Sequence, residues 1–275
     1  MASDILTELR GLLLSRGVEH FGVCAFGDVL PLIDCAGAKK LPENPKSVVV
    51  CLFPFYTGEY EKRNVARFAA VPDYHRAAGG ILAQAGGFLQ KQTGAKFAAF
   101  TDNSPIREVN AARLAGLGCV GRNGLLINRV YGPYIFIGAV VTDLQLEPSA
   151  PGGSCPGCGE CIRACPTSAL GGEKLDRARC RSFITQKTGE LTDWERGEIA
   201  KGGMVWGCDI CADACPLGKN TPITPIPEFL ARREPYLTPE NLDALHPDMP
   251  YNYRSKQVLR RNMALCGAAR RTAQD

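Results

Sequence analysis

Eight of the thirteen cysteines in this 275-residue chain lie between residues 155 and 215. Residues 155–166 read CPGCGECIRACP, residues 208–216 read CDICADACP, and Cys180 lies between these two runs. Cysteines with this spacing bind 4Fe-4S clusters, and the cysteine before the proline of such a run binds the other cluster of a pair. The two runs therefore predict neighbouring 4Fe-4S clusters that relay electrons.

The same spacing rule predicts the ligands of each cluster. The predicted ligands of the first cluster are Cys155, Cys158, Cys161 and Cys215. Those of the second are Cys165, Cys208 and Cys211, with Cys180 as the candidate for the eighth thiolate. Structural zinc is the alternative, but it favours two Cys-x2-Cys pairs about a dozen or more residues apart. The remaining cysteines are predicted to be small buried apolar residues: Cys24, Cys35, Cys51, Cys119 and Cys266.

A glycine-rich segment, GLGCVG at residues 116–121, matches the G-x-G-x-x-G fingerprint of dinucleotide sites. That fingerprint needs a strand before it and a helix after it, because the helix N-terminus binds the pyrophosphate. Here SPIREVNAARLA comes first and predicts a helix with Ser104 as N-cap and Pro105 in its first turn. GLLIN and YIFIGAVV follow and predict strands. This order disfavours a dinucleotide site, although Asp143 lies at roughly the usual offset of the ribose-binding acid.

The region before the cysteines alternates between strand and helix patterns. A helix is predicted over about residues 4–16, strands in HFGVCAF, KSVVVCLFPF and AKFAAFTD, and a glycine-weakened helix in DYHRAAGGILAQAGGFLQKQ. We therefore expect an α+β fold. Its predicted parts are an α/β-like sandwich domain over residues 1–150, a ferredoxin-like double-cluster domain over 151–225 and a helical tail over 226–275. In the tail, Leu259, Met263 and Cys266 are expected to form one buried stripe.

Two side chains before the glycine-rich segment could exchange protons. Asp102 ends a predicted strand and precedes the proline-started helix, so it is either a turn or capping residue or a proton donor. Donation near neutral pH requires burial against an apolar cofactor face, which would raise the aspartate pKa above its reference value of about 3.9. His75, in the sequence DYHR, is a second candidate acid or a histidine on a helix surface.

The order of these motifs resembles the epoxyqueuosine reductase family. DYH, a strand ending in Asp, AGLGCVGRNGLLIN, YGPYIFIGAVVTDL and the two cysteine runs follow one another as in that family, over about residues 46–220. RCRSFITQKTG matches the family's linker between the cysteine runs, which supports Cys180 as a ligand. The resemblance implies a cobalamin-dependent reductase with two 4Fe-4S clusters, related in fold to corrinoid reductive dehalogenases.

The resemblance also implies roles for individual residues. Asp102 occupies the family's proton-donor position, Tyr74 and His75 line the substrate face, and residues 1–150 form the cobalamin-binding domain. The positions that correspond to cofactor contacts in the family are Gly121, Arg122, Asn123, Leu126, Ile137, Val140, Ser182 and Asp209. The clusters would reduce the cobalt, and the protein would position cobalt, acid and substrate together.

Three functions remain open at this point. The first is reduction of epoxyqueuosine to queuosine in tRNA, the second is a cobalamin-dependent reduction of another substrate, and the third is a ferredoxin-type carrier to a corrinoid protein. Retention of Asp102 and DYH disfavours the carrier, which needs no proton donor. The expected electron partner is a low-potential donor of ferredoxin or flavodoxin type.

Two departures from the family bear on cofactor and tRNA binding. The loop before the KSVVV strand is shorter than in the family, and full-length members continue into a helical-repeat domain that holds the tRNA anticodon arm. The counterpart here is a basic segment, in which Arg254, Lys256, Arg260, Arg261, Arg270 and Arg271 outnumber Asp275. Such a segment either meets an anionic partner or forms a solvated helix face.

Composition limits the class of protein. The chain is 45% hydrophobic with a net charge of +4, it contains no apolar run long enough to span a bilayer, and no basic segment is followed by a signal-type apolar segment. We therefore expect a soluble cytoplasmic protein with no membrane partner.

Overall fold

A four-stranded antiparallel sheet organises the first half of the protein in a computed structural model, which describes residues 2–272. The strands are β1 Phe21–Ala25, β2 Ser47–Pro54, β3 Phe97–Phe100, β4 Cys119–Val120, β5 Leu126–Ile127 and β6 Ile135–Thr142. The sheet has the order β1-β2-β6-β3, while β4 and β5 form a separate hairpin. Strands β2 and β6 pair from Ser47–Thr142 to Pro54–Ile135 and form the centre of the sheet.

Helices cover both faces of this sheet. The helices are α1 Ala2–Leu14, α2 Tyr74–Thr93, α3 Glu108–Leu114, α4 Glu160–Ala164, α5 Arg181–Gln186, α6 Asp193–Gly202, α7 Ile210–Asp213, α8 Pro227–Leu230, α9 Leu242–Leu245 and α10 Lys256–Thr272. Alternate side chains of β2 face opposite sides, so Val49 packs in the core with α1 and α2, and Val50 packs in the core with α3. The predicted α+β sandwich is confirmed.

Helix α2 positions two of the predicted site residues at its N-terminus. It begins at Tyr74, directly after Asp73, whose side chain accepts a hydrogen bond from the His75 backbone N–H. The glycines in this helix were expected to weaken it, but Gly86 has a packing role. A Cβ atom added there would lie 2.1 Å from the Phe97 ring on β3, so the missing side chain lets helix and sheet approach closely.

The predicted start of helix α3 is wrong by about one turn. The helix begins at Glu108, and the Ser104 hydroxyl caps only a local turn by accepting from the Ile106 N–H. The Pro105 carbonyl accepts a hydrogen bond from the Ile33 N–H at 2.6 Å, which ties it to a distant loop instead of to the helix. Residues 101–107 therefore form a loop that separates Asp102 from α3.

The glycine-rich segment has the topology that disfavours a dinucleotide site. Helix α3 precedes it and the β4–β5 hairpin follows, as predicted. Its glycines allow close approach of other backbone segments: a Cβ at Gly116 would lie 2.4 Å from the Ala150 oxygen, and one at Gly118 would lie 2.4 Å from the Ile127 oxygen. Close packing between backbone segments of this one chain thus accounts for these two glycines.

A second hydrophobic core is formed mainly by residues of the C-terminal half. Its largest fully buried side chains are Trp206 and Tyr251, and residues 65–70 from the first half also pack into it. In α10, Leu259 and Cys266 are buried and Met263 packs partly against them, which confirms the predicted stripe. The predicted domain boundaries near residues 150 and 225 stay predictions. Within residues 2–272, no helix combines the length and hydropathy needed to cross a bilayer.

Candidate iron-sulfur and cofactor site

The eight cysteines lie around two separate cavities. Of the thiols, the first cavity is lined by Cys155, Cys158, Cys161 and Cys215, and the second by Cys165, Cys180, Cys208 and Cys211. These are the same two sets that the spacing rule predicts as ligands, including the exchange of one cysteine between the runs. The assignment of each thiolate to a cluster stays a prediction.

The chain reaches the first cavity through a glycine-containing loop. Gly157 and Gly159 have φ angles of +71° and +78°, a conformation that glycine adopts without strain, and α4 begins directly afterwards. Cys215 lies beyond α7 and is followed by Pro216, which turns the chain away. The first set is therefore assembled from a loop and a helix end that are separated by more than fifty residues of sequence, as the numbering of Cys158 and Cys215 shows.

The two sets lie next to each other. The charge of a Cys211 thiolate would interact with those of Cys165 and Cys161, which belong to different sets. Helix α4 also packs against α7, so the two cysteine runs are neighbours in space. In the described part of the chain, no three His, Cys, Asp or Glu side chains converge closely enough for a single metal ion. The four thiols of each set instead surround a cavity, as a cubane cluster requires.

The cysteines outside these two sets lie in different environments. Cys24 and Cys51 are buried in the sheet, where burial raises the pKa of their thiols to about 11 and about 12. Cys35 is half-buried, so the prediction of a buried apolar residue is wrong there, because its loop leaves the thiol beside the Asn103 carbonyl at 3.7 Å. Cys119 is buried as predicted, but it packs against Cys155 and Cys215 of the first set.

The second cavity is the larger one and extends beyond its thiols. Its volume is about 360 Å³, and its wall includes the sheet residues Phe55 and Phe136 as well as Leu125 from the β4–β5 hairpin. Of the predicted cofactor contacts, Asn123, Ser182 and Asp209 line this cavity. This space is therefore bounded by apolar rings on one side and polar groups near the thiols on another.

The remaining predicted contacts lie elsewhere. Arg122 is exposed and lines the first cavity. Leu126 and Val140 are buried in hydrophobic cores, which leaves only their backbone atoms for a cofactor contact. Ile137 packs partly against the core beneath α3, whereas Ile135 and Phe136 of the same strand line the second cavity. Gly121 is buried in the hairpin, where its N–H donates to the Leu125 carbonyl.

Asp209 is held by an arginine network that sequence reasoning missed. The Asp209 carboxylate accepts hydrogen bonds from the Arg63 side chain and, at 2.7 Å, from the Arg67 backbone N–H. The Arg67 side chain is only 7% exposed and binds Asp213, which also accepts from the Arg63 guanidinium at 2.6 Å and from the Tyr134 hydroxyl at 2.7 Å. This network joins the sheet domain to helix α7 between the cluster thiols. Its only sequence signal is that Asp209 and Asp213 lie four residues apart.

The predicted proton-transfer residues come together at the end of β3. Asp102 follows the strand in a turn with φ +70°, and its Oδ2 lies 3.9 Å from Nε2 of His75. His75 Nδ1 lies 2.6 Å from Oδ1 of Asp73, and this contact raises the pKa of the imidazole despite its partial burial. The Tyr74 ring stacks on Phe136 at 4.2 Å and thereby connects the group to the wall of the second cavity.

Asp102 does not have the burial that the sequence argument required. Its side chain is 73% exposed and lines an open cavity of about 670 Å³. The left-handed turn points the carboxylate outward, so any apolar cover has to come from a bound group. Glu108 lines the same cavity and was missed by the sequence analysis. Burial, together with the nearby Asp102 charge, raises the pKa of Glu108 to about 7.

The β4–β5 hairpin contributes side chains both to the Asp102 cavity and to the second thiol cavity. Val120 lines the Asp102 cavity and is 38% exposed, while Leu125 lines the second thiol cavity and is 37% exposed. The hairpin therefore presents apolar side chains on the surface between the proton-transfer residues and the second set of thiols.

The basic C-terminal segment is largely engaged within the protein. Lys256 and Arg260 form ion pairs with Asp243, Arg254 donates to the Gln186 carbonyl, and Arg261 donates to two backbone carbonyls in the loop after α5. The side chains of Arg270 and Arg271 and the whole of Asp275 lie outside the described residues.

A protein-family model matches the cysteine region. Residues 154–218 match the 4Fe-4S double cluster binding domain. This segment contains both cysteine runs and Cys180, and the prediction that the chain binds two 4Fe-4S clusters is confirmed.

Curated relatives named epoxyqueuosine reductase are about 35% identical to this chain over the aligned residues. The relative from Lactococcus garvieae is 35% identical over 165 residues, which cover 59% of this chain and 46% of the relative. The relative from Leadbetterella byssophila is 36% identical over 186 residues, which cover 65% of this chain and 60% of the relative. The chain spans about half the length of several curated relatives it matches.

Solved structures show the same fold. A crystal structure of epoxyqueuosine reductase with a modified tRNA-Tyr stem loop matches 98% of this chain and 82% of its own, with a TM-score of 0.81 and 22% identity. The epoxyqueuosine reductase from Streptococcus thermophilus matches 97% of this chain and 81% of its own, with a TM-score of 0.78 and 23% identity. A B12-dependent reductive dehalogenase is more distant, with a TM-score of 0.51, 19% identity and coverage of 93% of this chain and 36% of that one. The resemblance to epoxyqueuosine reductases, seen first in the motif order, is thus confirmed in sequence and in fold.

Proposed function

We propose that this protein is a cobalamin-dependent iron-sulfur reductase that removes the epoxide oxygen of epoxyqueuosine in tRNA. The observation that carries the proposal is the β4–β5 hairpin, whose exposed apolar residues Val120 and Leu125 bridge the cavity of Asp102 and the cavity of the second thiol set. A flat ligand on this hairpin would contact the electron relay on one side and the proton donor on the other.

The lining of the second cavity fits cobalamin by its chemistry. The rings of Phe55 and Phe136 offer apolar surface to a macrocycle, and Asn123, Ser182 and Asp209 offer polar groups to its amide side chains. Bound cobalamin would supply a cobalt centre that accepts electrons from the clusters and reduces the substrate. The Arg63 and Arg67 network holds Asp209 in place and so keeps the polar side of this cavity rigid.

Asp102 is proposed as the proton donor to the leaving oxygen. Its exposed carboxylate lines the open cavity, and His75 lies beside it at 3.9 Å. A cofactor on the hairpin together with a substrate above it would exclude water from the carboxyl group. Exclusion of water favours the protonated acid that the reaction needs. The stacked Tyr74 and Phe136 rings support this position from the sheet side.

Electrons are proposed to enter through the first cluster. Cys158 is the exposed thiol of its set, and the Arg163 guanidinium, whose side chain is 63% exposed, donates to the Cys158 carbonyl at 2.9 Å. Arg122 is also exposed at this cavity, and Leu217 there is 42% exposed. Two arginines, of which Arg163 is paired with Glu160, beside an apolar residue suit an acidic low-potential donor of ferredoxin or flavodoxin type. A tRNA substrate and a cytoplasmic location are parts of the same proposal.

Reduction of another substrate is the second candidate function. The described basic residues of the C-terminal segment are engaged by Asp243 and by backbone carbonyls, which leaves fewer free charges for a phosphate backbone. Activity on an epoxyqueuosine-modified anticodon stem loop, compared with the free nucleoside, separates the candidates. Binding of the stem loop should weaken steeply with salt if tRNA is the substrate.

The proposal is tested by anaerobic reconstitution with cobalamin. We expect about eight irons per chain, from two clusters of four, and a cob(II)alamin signal in electron paramagnetic resonance. Asp102→Asn should lower the turnover rate by about 10²- to 10⁴-fold, the usual contribution of a positioned general acid, while cobalamin stays bound. The control is Asp28→Asn at an exposed aspartate after β1. Failure to bind cobalamin, or full turnover by Asp102→Asn, would contradict the proposal.

A further inference from the structure

Glu108 carries a partly buried carboxyl group beside the proposed proton donor. It is the first residue of α3, and its carboxyl group faces the Asp102 backbone N–H, which acts to lower its pKa. Its Oε1 atom is fully buried and finds no hydrogen-bond partner among the described residues. The titratable groups that face it are Asp102 from the turn and His75 and Tyr74 from α2.

This environment differs from that of an ordinary glutamate in a first helical turn. Such a residue usually lies in water, where the positive end of the helix dipole favours its ionised form. At Glu108, burial and the Asp102 charge outweigh that effect and raise the pKa to about 7, although His75 and the Asp102 N–H act in the opposite direction. A buried oxygen without a partner is also destabilising. The Glu108 carboxyl group therefore does not stabilise the fold, but it can keep its proton at a pH where most glutamates are ionised.

The proposed reaction needs more than one proton. Removal of an epoxide oxygen breaks two C–O bonds, forms one C=C bond and releases water, and it consumes two electrons and two protons. The clusters and the cobalt account for the electrons. Asp102 accounts for one proton, but a second must reach the departing oxygen after cofactor and substrate have covered the site. Of the groups near Asp102, Glu108 is the carboxyl with a buried oxygen.

We propose that Glu108 supplies this second proton to the Asp102–His75 pair and supports the Asp102 turn beside which it lies. The inference rests on the proposed reductase function. Glu108 acts through Asp102 and is therefore a positioning and proton-supplying residue. In that turn, Asp102 and Asn103 both have positive φ angles, a conformation that aspartate and asparagine adopt more readily than most side chains.

Glu108→Gln separates the two parts of this role. Glutamine keeps the shape and a polar oxygen beside the Asp102 turn, but it has no proton to release in this pH range. If Glu108 only supports the turn, Glu108→Gln should resemble the wild type. If it supplies a proton, the turnover rate should fall about 10-fold or more, with an unchanged KM and unchanged cobalamin binding. Glu147→Gln, at an exposed glutamate after β6, is the matched control.

The pH dependence gives a readout that a purely structural role would not change. Since the donating form is the protonated acid, wild-type turnover should decline as the pH rises through about 7, and Glu108→Gln should lose this decline. Infrared difference spectra of the cluster-loaded protein without cobalamin should show a protonated carboxyl band that titrates near pH 7. That band should be absent in Glu108→Gln and present in Glu147→Gln.

The outcomes distinguish this inference from the proposed function. Absence of turnover in the reconstituted wild type would overturn the reductase proposal, whereas the infrared titration of Glu108 is measured without any turnover. Wild-type turnover with an unchanged rate and pH profile in Glu108→Gln would overturn the inference alone. A carboxyl band that persists in Glu108→Gln would also overturn it.

Discussion

Replacement of Cys180 tests whether the two cavities correspond to two clusters. Cys180 lies between the cysteine runs and lines the second cavity together with Cys165, Cys208 and Cys211. Cys180→Ala leaves three thiols on that cavity and all four on the first. Alanine is preferred to serine because a hydroxyl oxygen could replace the lost sulfur as a ligand.

The expected iron content of Cys180→Ala follows from the way in which the thiols divide between the two thiol cavities. Two four-iron clusters give eight irons per chain, and loss of the cluster on the second cavity should leave about four. The thiol sets are adjacent, since the charge of a Cys211 thiolate would interact with those of Cys161 and Cys165. The reduced wild type should therefore show spin coupling between two clusters in electron paramagnetic resonance. Cys180→Ala should show the simpler signal of one isolated cluster.

Cys119→Ala is the matched control for this experiment. Cys119 packs against Cys155 and Cys215 of the first set but is predicted not to bind iron. The variant should keep eight irons and the coupled signal, with a small loss of packing energy of about 1 kcal/mol. The ligand assignment would be refuted by eight irons in Cys180→Ala or by four in Cys119→Ala. Circular dichroism of each variant checks that the fold is retained.

Two further predictions concern the scaffold that positions the site. In α2, Gly86→Ala places a Cβ 2.1 Å from the Phe97 ring, whereas Gly87→Ala meets no atom within 4 Å. The first should lower the free energy of unfolding by about 1–2 kcal/mol, and the second should raise it by up to about 1 kcal/mol, as melting temperatures will show. Arg67→Met removes the buried partner of Asp213 and should cost about 3 kcal/mol and weaken cobalamin binding.

Each of these scaffold predictions has its own contradicting result. Equal melting temperatures for the two glycine variants would show that α2 shifts to accept a methyl group. For Arg67→Met the control is Arg76→Met, since the ion pair of Arg76 with Asp248 is exposed and should contribute less than about 1 kcal/mol. Equal losses of stability in both arginine variants would contradict the structural role assigned to the buried network.

Local sequence patterns were sufficient for much of the fold. The nearly unbroken β-branched and aromatic run of KSVVVCLFPF predicted β2, and the structure places all eight residues Ser47–Pro54 in buried positions. The start of α3 was mispredicted because the Pro105 carbonyl is bound by the Ile33 N–H. A contact over seventy residues of sequence is invisible to a local capping rule, whose signals lie within a few residues.

The candidate site was predictable where its chemistry depends on spacing. Cys155, Cys158 and Cys161 had to lie around one cavity because loops that short cannot separate them. Asp102 and His75 were predicted only through the motif resemblance, and the structure adds their separation of 3.9 Å. Glu108 had no sequence signal of its own, since an acidic residue in a first helical turn is usual.

The sequence by itself determined the iron-sulfur chemistry, the order of most strands and helices before the cysteine runs, and the family resemblance. Each depends on neighbouring residues, on the spacing of thiolates or on the period of apolar side chains. Only the tertiary structure decided that Arg67 joins the sheet to helix α7 and that Glu108 keeps a buried oxygen without a partner among the described residues. Burial, and the pKa that follows from it, is set by atoms that come from distant parts of the chain, so no local pattern specifies it.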